Sequence, residues 1–157
     1  MRFLFYDAVT EIDKGRSIRG VKTFALSEEL FRRHFRREAV IPGVIMIEAM
    51  AQLLGWLIIY SHDFNVSPVM SLVEEVKVTP RLRPGIKAEI TGEILSTSLR
   101  DSLGRARMIV EGREIASVNR IIYSHVQRAT PDELRRRFRY YGGIQVERDL
   151  PGERRGP

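Results

Sequence analysis

Hydrophobic positions follow two rhythms along this chain. From Phe3 to Ile12 they alternate with polar residues and include aromatics, the period of a strand with one buried face. Lys14-Gly15-Arg16 reads as a turn and Ser17 to Phe24 as a second strand. Ser27-Glu28-Glu29 begins a short helical turn that leads into Phe31, His34 and Phe35. The alternation then stops. Pro42-Gly43 opens a stretch, Val44 to Ile58, that is apolar on nearly every side and predicts a long helix. A helix of that kind has to be wrapped by other structure. Proline suits its first helical position, where a missing N–H is no loss. The backbone amides of that first turn are unpaired donors at the positive end of the helix dipole.

After Asn65 the strand rhythm returns in four runs, Pro68 to Val78, Lys87 to Ser98, Arg105 to Glu111 and Glu114 to Tyr123. Pro84-Gly85 makes a turn before the second run, and Glu111-Gly112-Arg113 a hairpin turn before the last. These elements predict an α+β domain in which one buried helix is enclosed by a predominantly antiparallel sheet. The end of the chain differs in character. Thr130-Pro131-Asp132-Glu133 has capping-box spacing, Leu134, Phe138 and Tyr141 form a stripe, and Gly142-Gly143 stops the helix. The expected organisation is a main domain over residues 1–126 and a C-terminal capped helix with a basic tail over 127–157.

Composition narrows the chemistry. A chain of 157 residues with 43% apolar and 29% charged residues fits one soluble domain with a real core. Cysteine is absent, which excludes disulfides, thiolate metal sites and a cysteine nucleophile. His34, His62 and His125 match no zinc-ligand spacing, so no metal is expected. The start, MRFLFYDAVTEID, is too short in apolar run and too early in acid for a secretory signal. Gly43 to Tyr60 has the length of a membrane span. Glu48 and Gln52 near its middle, with no basic flank, favour a buried helix of a cytoplasmic protein instead. A net charge of +6 favours acidic partners. Nucleic acid and an acidic carrier protein are both candidates, and because no helix-turn-helix, zinc finger or aromatic-studded strand accompanies the charge, nucleic acid ranks last. The arginines around Arg135 read as a solvated helix face, and His62 and His125 as surface or loop residues.

Glu48 is the residue that most needs explaining. An ionised carboxylate in an apolar setting costs several kcal/mol unless it is paired or hydrogen-bonded. His34 supplies a complement, since imidazole gives and takes protons near neutral pH. The two read as an acid/base pair. Gln52 lies four residues after Glu48 on the same helix face and is placed to orient it. Gly55 falls one turn further on and permits another backbone to come close.

His34-Phe35 followed by PGVIMIEAMAQ resembles the signature of the 3-hydroxyacyl-(acyl carrier protein) dehydratases. RFLFYDAVTEIDKGRSIRGVK, including Asp7, is similar to that family's opening strands, and VEEVKVTPRLRPGIKAEI to a later strand, turn and Pro-Gly sequence. The likeness covers residues 1–124, and nothing from Gln127 onward shares it. The family's catalytic histidine and helix-borne glutamate fall on His34 and Glu48, with the family's separation of 14 residues kept. The chain departs from the pattern at Arg36-Arg37, where the family has Pro-Gly.

The resemblance implies the hotdog fold, a long central helix wrapped by an antiparallel sheet. It implies dehydration of a 3-hydroxyacyl thioester in fatty acid or related lipid biosynthesis, with no cofactor. His34 would be the base at C2–H and Glu48 the acid or holder of the leaving hydroxyl. The Gly43 N–H, at the helix N-terminus, would take the thioester carbonyl. It further implies a homodimer, or a larger assembly built from it, with His34 of one subunit facing Glu48 of the other beside an apolar tunnel. Thioester hydrolysis on the same scaffold, and acyl binding without turnover, are the alternatives, because fold alone does not choose the reaction.

Overall fold

The computed structural model describes residues 4–33, 35 and 37–142. Strands β1 (Ala8–Asp13) and β2 (Ser17–Phe24) form a hairpin around Gly15, whose φ of 76° suits a residue without a Cβ. A short helix α1 (Glu29–Arg33) and the long helix α2 (Gly43–Ser61) follow. Then come β3 (Ser67–Val78), β4 (Ile86–Thr97), β5 (Asp101–Val110), β6 (Arg113–Val126) and helix α3 (Pro131–Gly142). All neighbours pair antiparallel in one sheet of order β1-β2-β4-β5-β6-β3. The expected architecture, one helix enclosed by an antiparallel sheet, is the one observed.

The boundaries differ in places. Leu4 to Asp7 lies outside β1, because the Phe5 N–H is drawn to the Gln52 side chain and the Asp7 carboxylate accepts from the Thr23 N–H. Phe3 is outside the described residues. Pro42 is the residue that caps α2, not its first helical residue. Its ψ of 135° is extended, while its carbonyl accepts from the Ile45 and Met46 amides. β5 begins at Asp101, ahead of the expected Arg105, because Ser102 and Leu103 already pair with Thr97 and Ser96 of β4. Glu111 and Gly112 both take positive φ, 49° and 79°, between the paired residues Val110 and Arg113. That is the primed two-residue turn whose twist matches its strands.

α2 lies across the sheet. Met46, Ala49, Met50, Leu53, Leu54, Leu57 and Ile58 are fully buried against it. The helix gets close because β2 and β5 present glycines underneath. A Cβ on Gly20 would stand 2.8 Å from Leu53 Cδ1, and one on Gly104 2.7 Å from Leu54 Cδ2. α2 is long and apolar enough to cross a membrane by length and composition, and here its apolar residues cover the sheet.

α3 packs against the C-terminal half of α2 and the turn after it. Thr130 Oγ1 accepts from the Glu133 N–H at 3.3 Å, the expected cap. Leu134 and Phe138 are buried, and the Phe138 ring lies 5.3 Å from Trp56, 5.8 Å from Tyr60 and 5.7 Å from Phe64. Gly143 and the basic tail lie outside the described residues. At one edge of the sheet, β3 bonds, among the described residues, only to β6. It leaves Val69, Met70, Leu72, Val76 and Val78 between 37% and 41% exposed, an apolar row on an open strand.

Candidate active site

Glu48 points from α2 into a cleft of about 710 Å³. One wall is α2 itself, through Glu48, Gln52, Gly55 and Trp56. Opposite stand the first residues of β3 and Tyr123 of β6, and α3 closes a third side with Leu134, Arg137 and Tyr141. Most of this lining is apolar, with the carboxylate near one end. That suits a ligand with a long hydrocarbon part and one reacting polar centre.

The carboxylate is held. Gln52 Nε2 donates to Glu48 Oε1 at 2.8 Å, and the Phe5 N–H donates to Gln52 Oε1 at 2.9 Å. The second bond fixes which end of the amide faces Glu48: the oxygen is taken by Phe5, so the NH₂ is left for the carboxylate. Gln52 therefore stands where the one-turn spacing puts it, and the N-terminal segment clamps it from outside the helix.

Below the pair, the Tyr123 hydroxyl donates to the Ala51 carbonyl at 2.7 Å. Burial, and then the charge of Glu48, push the Tyr123 phenol well above its ordinary range, so it stays a protonated donor. Nothing in the periodicity of β6 singled out Tyr123. Its role depends on where the strand crosses the helix.

The other expected site residues are placed as follows. Gly43 is the first residue of α2, and a Cβ there would meet Val78 Cγ2 at 3.2 Å, so glycine lets β3 come close to the helix start. His34 lies outside the described residues. The chain leading to it is pinned by a charge cluster around the buried Lys22. Lys22, 7% exposed, donates to Glu28 Oε1 at 3.1 Å and lies 3.7 Å from Asp7 Oδ1. Glu28 in turn accepts from the Ala25 N–H at 3.1 Å. A lysine survives such burial because two carboxylates compensate it.

Gly55 does not serve the close backbone approach expected of it. The nearest atom to a Cβ there is Pro68 Cγ at 4.0 Å. Nor are His62 and His125 simply surface residues. Their rings are 4.9 Å apart, joined by hydrogen bonds from His62 Nε2 to Thr97 Oγ1, on to Ser102 Oγ, and back to His125 Nε2. Among the described residues, no group of three or more His, Asp or Glu side chains is gathered as a metal site would need.

Known proteins share this chain's sequence pattern and fold. The model of the FabA-like domain matches residues 1–119. The chain belongs to the FabA-like domain family. Among its FabA-like relatives, the 3-hydroxyacyl-(acyl-carrier-protein) dehydratase FabZ of Caldicellulosiruptor saccharolyticus is 32% identical, over 72% of this chain and 81% of that protein. The protein of the same name from Clostridioides difficile is 28% identical over 80% of this chain and 89% of its own. In three dimensions, the dehydratase heterocomplex ApeI:P from Xenorhabdus doucetiae matches with a TM-score of 0.63 at 15% identity, over 86% of this chain and 89% of that one. Smu.793 of Streptococcus mutans, solved with acetyl CoA, matches with a TM-score of 0.62 at 12% identity, over 82% and 95%. The fold shared with these structures is the hotdog. α3, from Pro131, lies beyond the span that the FabA-like model matches.

Proposed function

We propose that this protein dehydrates 3-hydroxyacyl thioesters carried by an acyl carrier protein, as a cytoplasmic lyase of fatty acid biosynthesis. The observation that carries this reading is the helix-borne carboxylate at one end of an apolar cleft, oriented by Gln52, in a chain of the FabA-like family.

In the proposed chemistry His34 removes the C2 proton, which the thioester acidifies. The electron pair moves into the C2–C3 bond, and the C3 hydroxyl leaves as water with a proton from Glu48. The products are the trans-2-enoyl thioester and water. Charge that builds on the thioester oxygen is met by the Gly43 N–H, an unpaired donor at the positive end of α2. No step calls for a cofactor.

The edge of the sheet supports a homodimer. β3, twelve residues long, is paired with β6 on one side and carries an apolar row and an open backbone edge on the other, the pattern expected of a strand that pairs with another. The first residues of β3 also line the cleft, so a second copy on that edge would help to enclose it. In that arrangement His34 of one subunit serves Glu48 of the other. Residues 1–126 form the dehydratase unit, and 127–157 add a helix and a tail. Arg128 and Arg137, both at the cleft, suit the acidic carrier that presents the substrate.

Purified protein incubated with a 3-hydroxyacyl carrier protein should generate the absorbance of a conjugated enoyl thioester. His34→Ala and Glu48→Ala should each lower the rate roughly 10²- to 10⁴-fold with folding retained. Free thiol without enoyl product would favour hydrolysis instead. Tight acyl-carrier binding with no product would mark a binding protein.

A further inference from the structure

Gly55 is anomalous inside α2. Glycine is the poorest helix former after proline, and it sits in the body of a 19-residue helix. Two things normally account for such a glycine, and neither applies. Its φ is not among the positive ones, which among the described glycines belong to Gly15, Gly85 and Gly112. No neighbour crowds it either. A Cβ on Gly20 or Gly104 would fall within 3 Å of other atoms, whereas one on Gly55 would meet only Pro68 Cγ, at 4.0 Å, in ordinary contact.

What a side chain at this position would enter is the cleft. Glu48, Gln52, Gly55 and Ile59 follow one another on one face of α2, and all four line it. Across from Gly55 are Pro68 at the start of β3 and, on the third side, Leu134 and Tyr141 of α3. With a rise of 1.5 Å per residue, Gly55 lies about 10 Å along the helix from Glu48, the length of roughly eight extended methylenes.

We infer that the missing side chain of Gly55 is space for the acyl chain, which makes Gly55 a residue that sets how long an acyl group the enzyme accepts. This rests on the dehydratase reading for the identity of the ligand. Short acyl groups end before Gly55, and longer ones must run over it, beside Pro68. An alanine fits there, because its one carbon makes only an ordinary contact. A leucine would occupy the passage.

The test compares wild type, Gly55→Ala and Gly55→Leu on carrier-linked 3-hydroxyacyl groups of four and twelve carbons, reading kcat/KM for each. Binding of a saturated twelve-carbon acyl-pantetheine thioester is measured by calorimetry on the same proteins. Wild type should turn over both lengths, and Gly55→Ala, which adds one carbon to the passage, should lower the twelve-carbon rate less than leucine does while keeping the four-carbon rate. Gly55→Leu should keep the four-carbon rate and lose the twelve-carbon rate roughly a hundredfold, since even one misfitting methylene in an apolar pocket costs about 10- to 200-fold. It should also lose binding of the twelve-carbon probe.

Equal effects of Gly55→Leu on both lengths, or undiminished binding of the probe, would overturn the inference. So would loss of the dimer with an unchanged length profile, which would assign Gly55 to the contact between copies. Turnover absent from wild type, while the probe binds wild type and not Gly55→Leu, would sink the dehydratase reading and support the passage. If leucine prevents folding, Gly55→Val carries the same comparison.

Discussion

Glu48 illustrates how one residue is made usable by its neighbours. Its carboxylate sits on a helix otherwise given over to apolar packing, and a hydrogen bond from Gln52 offsets part of what that position costs. Gln52 is in turn turned the right way round by the Phe5 amide. The chain of dependence predicts a graded result. Gln52→Ala should lower kcat by about 10- to 100-fold while leaving KM little changed, since misplacing a reacting group by an ångström can cost 10²-fold. Gln52→Glu keeps an acceptor for Phe5 but sets a second carboxyl against Glu48, and should not rescue the rate. Steady-state kinetics on both variants checks this. A wild-type kcat for Gln52→Ala would reduce Gln52 to helix packing.

At the scale of elements, most of what places the site was legible in the chain, and the reason is periodicity. The alternating runs and the continuous apolar run have different periods, so strands and helix separate cleanly, and the capping box at Thr130 announces α3. Glu48 and Gln52 were legible for the same reason: polar residues one turn apart in an apolar run must share a face. What periodicity cannot express is contact between elements. Neither the seat that Gly20 and Gly104 form for α2, nor the bond from Tyr123 to Ala51, nor the packing of Phe138 on Trp56 has a signal within its own segment. Lys22, Asp7 and Glu28 look like surface charges until β2 and the N-terminal segment bring them together. The seat gives a prediction at this scale. Gly104→Ala puts a methyl 2.8 Å from the Glu93 backbone oxygen and 2.7 Å from Leu54, and neither the strand nor the packed helix yields easily. Overpacking of that kind costs about 1–3 kcal/mol. The urea midpoint should fall accordingly, whereas Gly55→Ala, whose methyl meets only Pro68 Cγ at 4.0 Å, should hold or raise it.

At the scale of the whole molecule, the histidine pair ties the end of α2 and β6 to the β4–β5 hairpin. Burial is the main cause holding both imidazoles below their ordinary range. The charge of His125 adds to the effect on His62, and Asp63 opposes it. Asp101 and the Leu99 carbonyl oppose it on His125. A histidine with a lowered folded-state value binds fewer protons folded than unfolded. Its neutral form costs nothing above the ordinary value near 6.5, and stability falls as the pH drops below it. Urea midpoints between pH 7.5 and 5.5 should therefore decline in wild type and decline less in the His62→Gln, His125→Gln double variant. Parallel curves would remove the pair from the pH response.

Molecular scale also holds the central claim, that His34 and Glu48 act as one acid/base pair drawn from two copies of the chain. Mixing His34→Ala and Glu48→Ala subunits, unfolded together and refolded, tests it most directly. Each variant alone should be inactive. In a random mixture half of the dimers carry both variants, and each of those has one intact His34–Glu48 pair. The mixture should then recover about one quarter of the wild-type rate of enoyl formation. A mixture as inactive as its components, or either variant active by itself, would contradict the account.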